Sequence, residues 1–154
     1  MKALVVYDSE FGNTEKIAKV IGETLGCDVL RPAQMKQEFL NDLDVLVVGS
    51  PTQAFQPLKP IKDFLDGLNS DALKGVKVAA FDTRADIEKV NNRFLTVLVK
   101  LFGYADKPIA RKLTKKGGTL ALQSNGFVVN EKEGPLKEGE LERAAAWIKG
   151  LESK

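Results

Sequence analysis

A repeated switch of period constrains this chain most: short β-branched apolar runs, each closed by small polar residues, alternate with stretches of helical spacing. Ala3-Leu4-Val5-Val6-Tyr7 gives way to Ser9-Glu10-Phe11-Gly12-Asn13-Thr14, after which apolar residues fall at 17, 20, 21 and 25, with a stop at Gly26. Asp28 to Arg31, before Pro32, reads as a short edge strand, and Phe39, Leu40 and Leu43 as cover for one face. Val45-Leu46-Val47-Val48 ends in a loop, Gly49 to Gln53, and Pro57 and Pro60 lead into apolar positions 61, 64, 65 and 68. Val76 to Phe81 ends in a third polar loop, Asp82-Thr83-Arg84. A helix then carries Val90, Phe94, Val97, Leu98, Leu101 and Phe102 on one stripe, and a shorter one covers 106 to 116. Thr119 to Leu122 and Phe127 to Val129 flank a break at Ser124-Asn125-Gly126, and a last helix turns Leu141, Ala144, Ala145, Ile148 and Leu151 inward. Unbroken β-branched runs belong to strands buried on both faces, and right-handed crossovers leave few other arrangements. The pattern predicts an α/β three-layer sandwich: five parallel strands in the order 2-1-3-4-5, helices on both faces, one domain over 1–154.

Composition removes whole reaction classes. The 154 residues include no histidine and one cysteine, Cys27, so no Ser-His-Asp or Cys-His nucleophile and no histidine–thiolate zinc site can be built. Proton chemistry near neutral pH falls to displaced carboxylates, lysines, Tyr7 or Tyr104, and redox chemistry to a bound cofactor. A single cysteine suits a reducing cytoplasm and reads here as a half-buried spacer. No secretory or spanning segment is expected, since the first apolar run stops at Asp8. The net charge of +2 gives no case for nucleic acid.

In a doubly wound sheet of this order, strands 1 and 3 meet at the switch point, so the loops after the first, third and fourth strands open into one crevice. The loop at 9–14 opens a helix, where unpaired N–H groups and the dipole favour a phosphate. It has one glycine and no lysine, so it is neither a Walker A loop nor a three-glycine dinucleotide fingerprint. A phosphorylatable receiver would need an acid where Gly49-Ser50 stands. A monophosphate on neutral donors, with a flat ring between the second and third loops, fits.

These residues resemble the flavodoxin family: Ser9-Glu10-Phe11-Gly12-Asn13-Thr14 is similar to its phosphate loop, and Ser50-Pro51-Thr52 to the opening of its second flavin loop. The resemblance covers the whole chain in length and order of elements and implies a short-chain, FMN-binding flavodoxin-like fold. It implies that Ser9, Glu10, Phe11, Gly12, Asn13 and Thr14 hold the phosphate. It further implies that Ser50, Pro51 and Thr52 follow the ribityl chain, that Gln53, Ala54 and Phe55 lie beside the ring, and that Asp82, Thr83 and Arg84 approach its pyrimidine edge. No catalytic residue and no metal ligand is implied.

Two departures stand out. Many members carry a tryptophan in the second loop and a tyrosine in the third, where this chain has Gln53 with Phe55 nearby and no aromatic after Phe81. Phe55 either covers a ring face or packs on Pro57, and Trp147 reads as a packing residue. Arg84 either touches the pyrimidine edge and raises the flavin potential, or pairs with Asp82 or Asp86. The run from Lys100 to Lys116 holds six bases against Asp106, a solvated face or a dock for an acidic redox partner. The expected function is electron transfer between partner proteins through noncovalent FMN, without membrane insertion. The alternatives are an FMN-dependent quinone reductase or related enzyme, and a redox-inactive binding module.

Overall fold

The computed structural model describes residues 1–86 and 92–152. Six strands form one parallel sheet: β1 (Ala3–Tyr7), β2 (Asp28–Leu30), β3 (Val45–Pro51), β4 (Lys77–Ala85), β5 (Thr119–Leu120) and β6 (Asn125–Val129). Its helices are α1 (Asn13–Leu25), α2 (Lys59–Asp66), α3 (Arg93–Phe102), α4 (Asp106–Lys115) and α5 (Glu140–Lys149). The order is β2-β1-β3-β4-β5, as the alternation predicts, with β6 also paired to β4. The fifth position is thus one interrupted strand: β5 pairs with Lys77 and Val78, β6 with Phe81 to Ala85, and the register slips by two residues between them.

Strand alternation divides the core. Leu4, Val6, Leu46, Val48, Val78 and Ala80 face α2 and α4, where Ile61, Leu65, Ile109 and Leu113 fill the layer. Val5, Tyr7, Val45, Val47, Ala79 and Phe81 face α1 and α5, against Ile17, Ile21, Ala144 and Ile148. Two 3-10 turns, Pro32–Gln34 and Gln37–Leu40, rest Phe39 and Leu40 on the first layer. Phe81, Phe127 and Trp147 meet edge to face at 6.0–6.4 Å between centroids, which accounts for Trp147 as packing. Gly49 is required by this cluster, because a Cβ there would stand 2.0 Å from the Phe81 ring.

The expectations fail at three places. Gly49 to Pro51 and Asp82 to Ala85 are not loops, since β3 and β4 stay paired through Ser50↔Asp82 and Pro51↔Thr83. Polar residues persist in these strand ends because their side chains find partners there. The stripe of α3 does not enter the core: Phe94 (71% exposed), Leu101 (70%), Phe102 (62%) and Val97 (53%) face outward, and Leu98 is half-buried. Helix α4 already covers the sheet between β4 and β5, so no apolar sheet surface remains for α3. Val90 lies outside the described residues. On α5, Leu141 is exposed and Ala145 half-buried, while Ala144, Ile148 and Leu151 are buried.

Candidate functional site

A cleft opens at the carboxyl ends of β1, β3 and β4, where the topology places it. The β1–α1 loop lines it with Ser9, Glu10, Phe11, Asn13 and Thr14, the end of β3 with Pro51, Thr52 and Gln53, and β4 with Thr83, Arg84 and Ala85. A fourth wall comes from the segment after β6, through Val129 and Lys132. The enclosed space is about 120 Å³, against roughly 300–1,000 Å³ for a pocket that swallows a drug-sized ligand. It suits a phosphate and a chain, with any planar group at the mouth.

The β1–α1 loop is built to present donors. Gly12 is left-handed at φ 93°, which turns the chain directly into α1. The Gly12 N–H donates to Ser9 Oγ at 3.0 Å and the Ser9 N–H to Asp8 Oδ1 at 2.9 Å. The N–H groups of Glu10, Phe11, Asn13, Thr14 and Glu15 have no acceptor among the described residues, since the first helical bond runs from Lys16 to Gly12 O. Five donors and the positive end of a 13-residue helix therefore serve this loop. Thr14 Oγ1, buried, lies 2.7 Å from Thr83 Oγ1, so one hydroxyl of the pair donates to the other and the second keeps its proton for a ligand. The Asn13 amide donates to Glu133 O at 3.2 Å, tying the segment after β6 to the loop.

Two arginines flank the cleft, each held by carboxylates. Arg31, at the end of β2, bonds Asp8 Oδ1 at 2.7 Å and Glu15 Oε2 at 3.3 Å and lies 5.0 Å from the Tyr7 ring centroid. Arg84 grips Asp82 with two bonds, Nε to Oδ1 at 2.8 Å and Nη2 to Oδ2 at 2.7 Å, and approaches Asp106 at 3.4 Å. Its guanidinium carbon stands 3.6 Å from the Tyr104 ring centroid. Gly126 makes room on the far side, since a Cβ there would lie 2.0 Å from that carbon. Asp82 is fully buried and also accepts the Asp106 N–H at 3.0 Å. Burial pushes its carboxyl up to about 6, against the pull of Arg84. Burial also raises the Tyr7 and Tyr104 phenols, and pushes the Cys27 thiol up to about 11. None of these groups is poised to exchange protons with a ligand at neutral pH: the tyrosines and the cysteine stay protonated, and Asp82 is sealed from the cleft.

A family model described as a flavodoxin domain matches residues 4–125. The chain belongs to the flavodoxin family. Solved structures similar to this flavodoxin-family chain include a flavodoxin from the domain Archaea, 24% identical over 99% of this chain and 98% of that one, with a TM-score of 0.77. Flavodoxin 1 of Bacillus cereus is 18% identical over 99% and 98%, also with a TM-score of 0.77. A short-chain flavodoxin associated with a PDU bacterial microcompartment is 20% identical over 99% and 98%, at 0.71. No curated protein matches the chain. At these identities the structural likeness speaks for the fold, and family membership makes this a flavin-binding electron-transfer domain in general terms.

Within the flavodoxin fold the predicted site residues separate into two groups. Ser9, Glu10, Phe11, Asn13, Thr14, Pro51, Thr52, Gln53, Thr83 and Arg84 line one cleft, with Gly12 in the loop that shapes it. Ser50, Ala54, Phe55 and Asp82 do not line it. Ser50 is fully buried, its hydroxyl accepting the Leu58 N–H and donating to Pro51 O at 2.9 Å each, which shapes the β3–α2 turn. Ala54 and Phe55 are left-handed, at φ 49° and 68°, and Phe55 packs at 5.6 Å on Phe102. Phe102 is available to Phe55 because α3 stays outside the core. For Arg84 the pairing with Asp82 is formed and Asp106 also faces its charge, while the side chain still lines the cleft. Thr52 lines the cleft while its Oγ1 accepts the Ala105 N–H at 3.0 Å.

Sequence reading misses Arg31 and Lys132, and names Tyr104 for proton chemistry where the structure stacks it on Arg84. Arg31 sits 23 positions from its partner Asp8, and only the pairing of β2 with β1 joins them. Lys132 follows a strand whose start was misplaced.

Proposed function

We propose that the protein carries electrons between partner proteins through one noncovalently bound FMN. The observation that carries this reading is the set of uncommitted N–H groups of Glu10, Phe11, Asn13, Thr14 and Glu15, gathered at the start of α1 beside neutral hydroxyls. Such a cradle suits a phosphate monoester, and its loop lacks the three spaced glycines that let a backbone approach a dinucleotide's pyrophosphate. FMN, when bound, supplies a group that takes up one or two electrons, the chemistry that a chain without histidine and with a single, half-buried thiol lacks.

The chain's own residues then have separate tasks. Ser9 to Thr14 would anchor the phosphate, with Lys132 the one cleft-lining cation that has no carboxylate partner among the described residues. Pro51, Thr52 and Gln53 would border the chain leading to the ring, and Thr83, Arg84 and Ala85 would form the opposite wall. The Arg84–Asp82–Asp106 cluster ties β4 to α4 behind this wall. The small enclosed volume favours the carrier over an enzyme with its own substrate pocket.

The deciding experiment titrates the purified protein with FMN and with riboflavin by flavin fluorescence. It then offers the FMN-loaded protein NADH or NADPH together with a soluble quinone. Tight FMN binding, riboflavin at least tenfold weaker, and no steady oxidation of the nucleotides are expected. Sustained turnover would make it a quinone reductase, and no FMN binding would leave only a binding module.

A further inference from the structure

Helix α3 is the least explained element of the fold. None of its ten residues is buried, yet it holds only one uncharged polar side chain, Thr96, and no acid. Its formation is well specified: Asn92 caps it by accepting the Phe94 and Leu95 N–H groups, and Gly103, at φ 73°, ends it. Two rows run along its outer side at a spacing of seven residues, Arg93 and Lys100 in one and Phe94 and Leu101 in the other, with Val97 between them. The next helix adds a cationic row at a spacing of four, Lys107, Arg111 and Lys115, all exposed.

None of these cations forms an ion pair among the described residues, though Lys115 acts at longer range on Asp66. The one acid between residues 92 and 116 is Asp106, which is buried and faces Arg84. Of the remaining bases in that stretch, Lys112 pairs with Asp66 and Lys116 bonds the Leu68 carbonyl, which leaves the five cations of the three rows for an outside partner. A second copy of the chain is a poor match, because a symmetric contact through α3 would press these rows against one another. A folded protein is a weaker match than a bilayer: lysine is depleted at protein interfaces, which also need roughly one hydrogen bond per 100–200 Å², and α3 offers almost none. Phenylalanine and leucine beside lysine and arginine is the composition of a helix that lies in the headgroup region.

We infer that α3, with the cationic row of α4, seats the protein on the surface of an anionic membrane. At ten residues α3 is about 15 Å long, so it would lie in the plane of the interface. No described helix is long and apolar enough to cross a membrane. This docking is independent of the flavin reading, since it uses no residue of the cleft.

Co-sedimentation of the full chain with vesicles tests it. Vesicles of equal parts phosphatidylglycerol and phosphatidylcholine should carry the protein down, with at least tenfold weaker partitioning onto phosphatidylcholine alone. Phe94→Ser with Leu101→Ser should abolish the binding. Lys107→Gln, Arg111→Gln and Lys115→Gln together should weaken it on the order of a hundredfold, at about fivefold for each cation near the surface. Because all five positions are exposed, both variants should keep the wild-type circular dichroism. Failure of the wild type to sediment with anionic vesicles at low ionic strength would overturn the inference in favour of an acidic protein partner. Undiminished binding by the Phe94/Leu101 variant would reduce it to adsorption by charge and overturn it equally.

Discussion

Replacing Arg84 by methionine keeps most of the side-chain volume and removes two of the three hydrogen bonds to Asp82, those from Nε at 2.8 Å and Nη2 at 2.7 Å. The third, from the Asp106 N–H at 3.0 Å, remains. Stranding a fully buried carboxylate in this way costs about 3–5 kcal/mol at neutral pH. The cost depends on pH with a definite sign. The Asp82 carboxyl titrates at about 6 in the folded protein against an ordinary 3.8, so its contribution to stability is fully present below the lower value and is lost as pH rises through the higher. Without Arg84 the folded-state value moves further up, and the loss deepens above pH 6. Arg84→Met should therefore be most destabilised at pH 8 and much closer to wild type at pH 5, where the acid is largely protonated in both proteins. Urea unfolding followed by Trp147 fluorescence at the two pH values measures this, and the double variant Asp82→Asn/Arg84→Met should regain most of the loss. A deficit below about 1 kcal/mol at pH 8, or an equal deficit at both pH values, would refute the reading of this pair as a buried, mutually dependent unit.

Three further changes probe the same cleft. Gly126→Ala places a methyl group 2.0 Å from the Arg84 guanidinium carbon and should cost about 1–3 kcal/mol, but almost nothing once Arg84 is methionine, which a double-mutant cycle in urea will show. Thr14→Val removes the 2.7 Å hydroxyl contact with Thr83 and should cost about 1 kcal/mol of stability. It should also weaken FMN more than riboflavin in paired titrations, since the lost group faces the phosphate end. Lys132→Gln should lower FMN affinity several-fold, leave riboflavin unchanged and flatten the salt dependence of FMN binding, as expected for a cation that answers the phosphate.

The fold was legible because its signal is redundant. Three β-branched runs, each followed by helical spacing, leave few sheet orders, and a wrong boundary at any one of them leaves the topology intact. The loop at 9–14 was legible for a related reason, since its geometry is local: a glycine that must be left-handed and a helix start that leaves N–H groups free. The errors fall where local pattern and tertiary context disagree. Asp82, Thr83 and Arg84 look like a loop because they are polar, but they remain in β4 because their side chains find partners, Asp82 and Arg84 each other along the strand and Thr83 the Thr14 hydroxyl of α1. The apolar stripe of α3 looks like a core stripe, and periodicity alone cannot say that α4 has already covered the sheet. Arg31 and Lys132 could not be found at all, because no spacing joins residue 31 to residue 8, or residue 132 to residue 13, before the strands are paired.

The distribution of charge follows from the same cause. A slightly basic chain suggests a basic environment for a bound anion, yet both arginines at the cleft are consumed by carboxylates, Arg31 by Asp8 and Glu15 and Arg84 by Asp82 and Asp106. Cations without an ion pair among the described residues lie instead on the outer surface, those of α3 and the outer row of α4 among them, with Lys132 as the exception at the cleft. Net charge therefore describes the outer face of this molecule and not its site. At the Arg84 wall of the cleft, two carboxylates offset the one guanidinium. That separation also makes the two proposals independent. Salt should weaken membrane seating steeply, through five exposed cations, while FMN binding should respond only as far as Lys132 contributes.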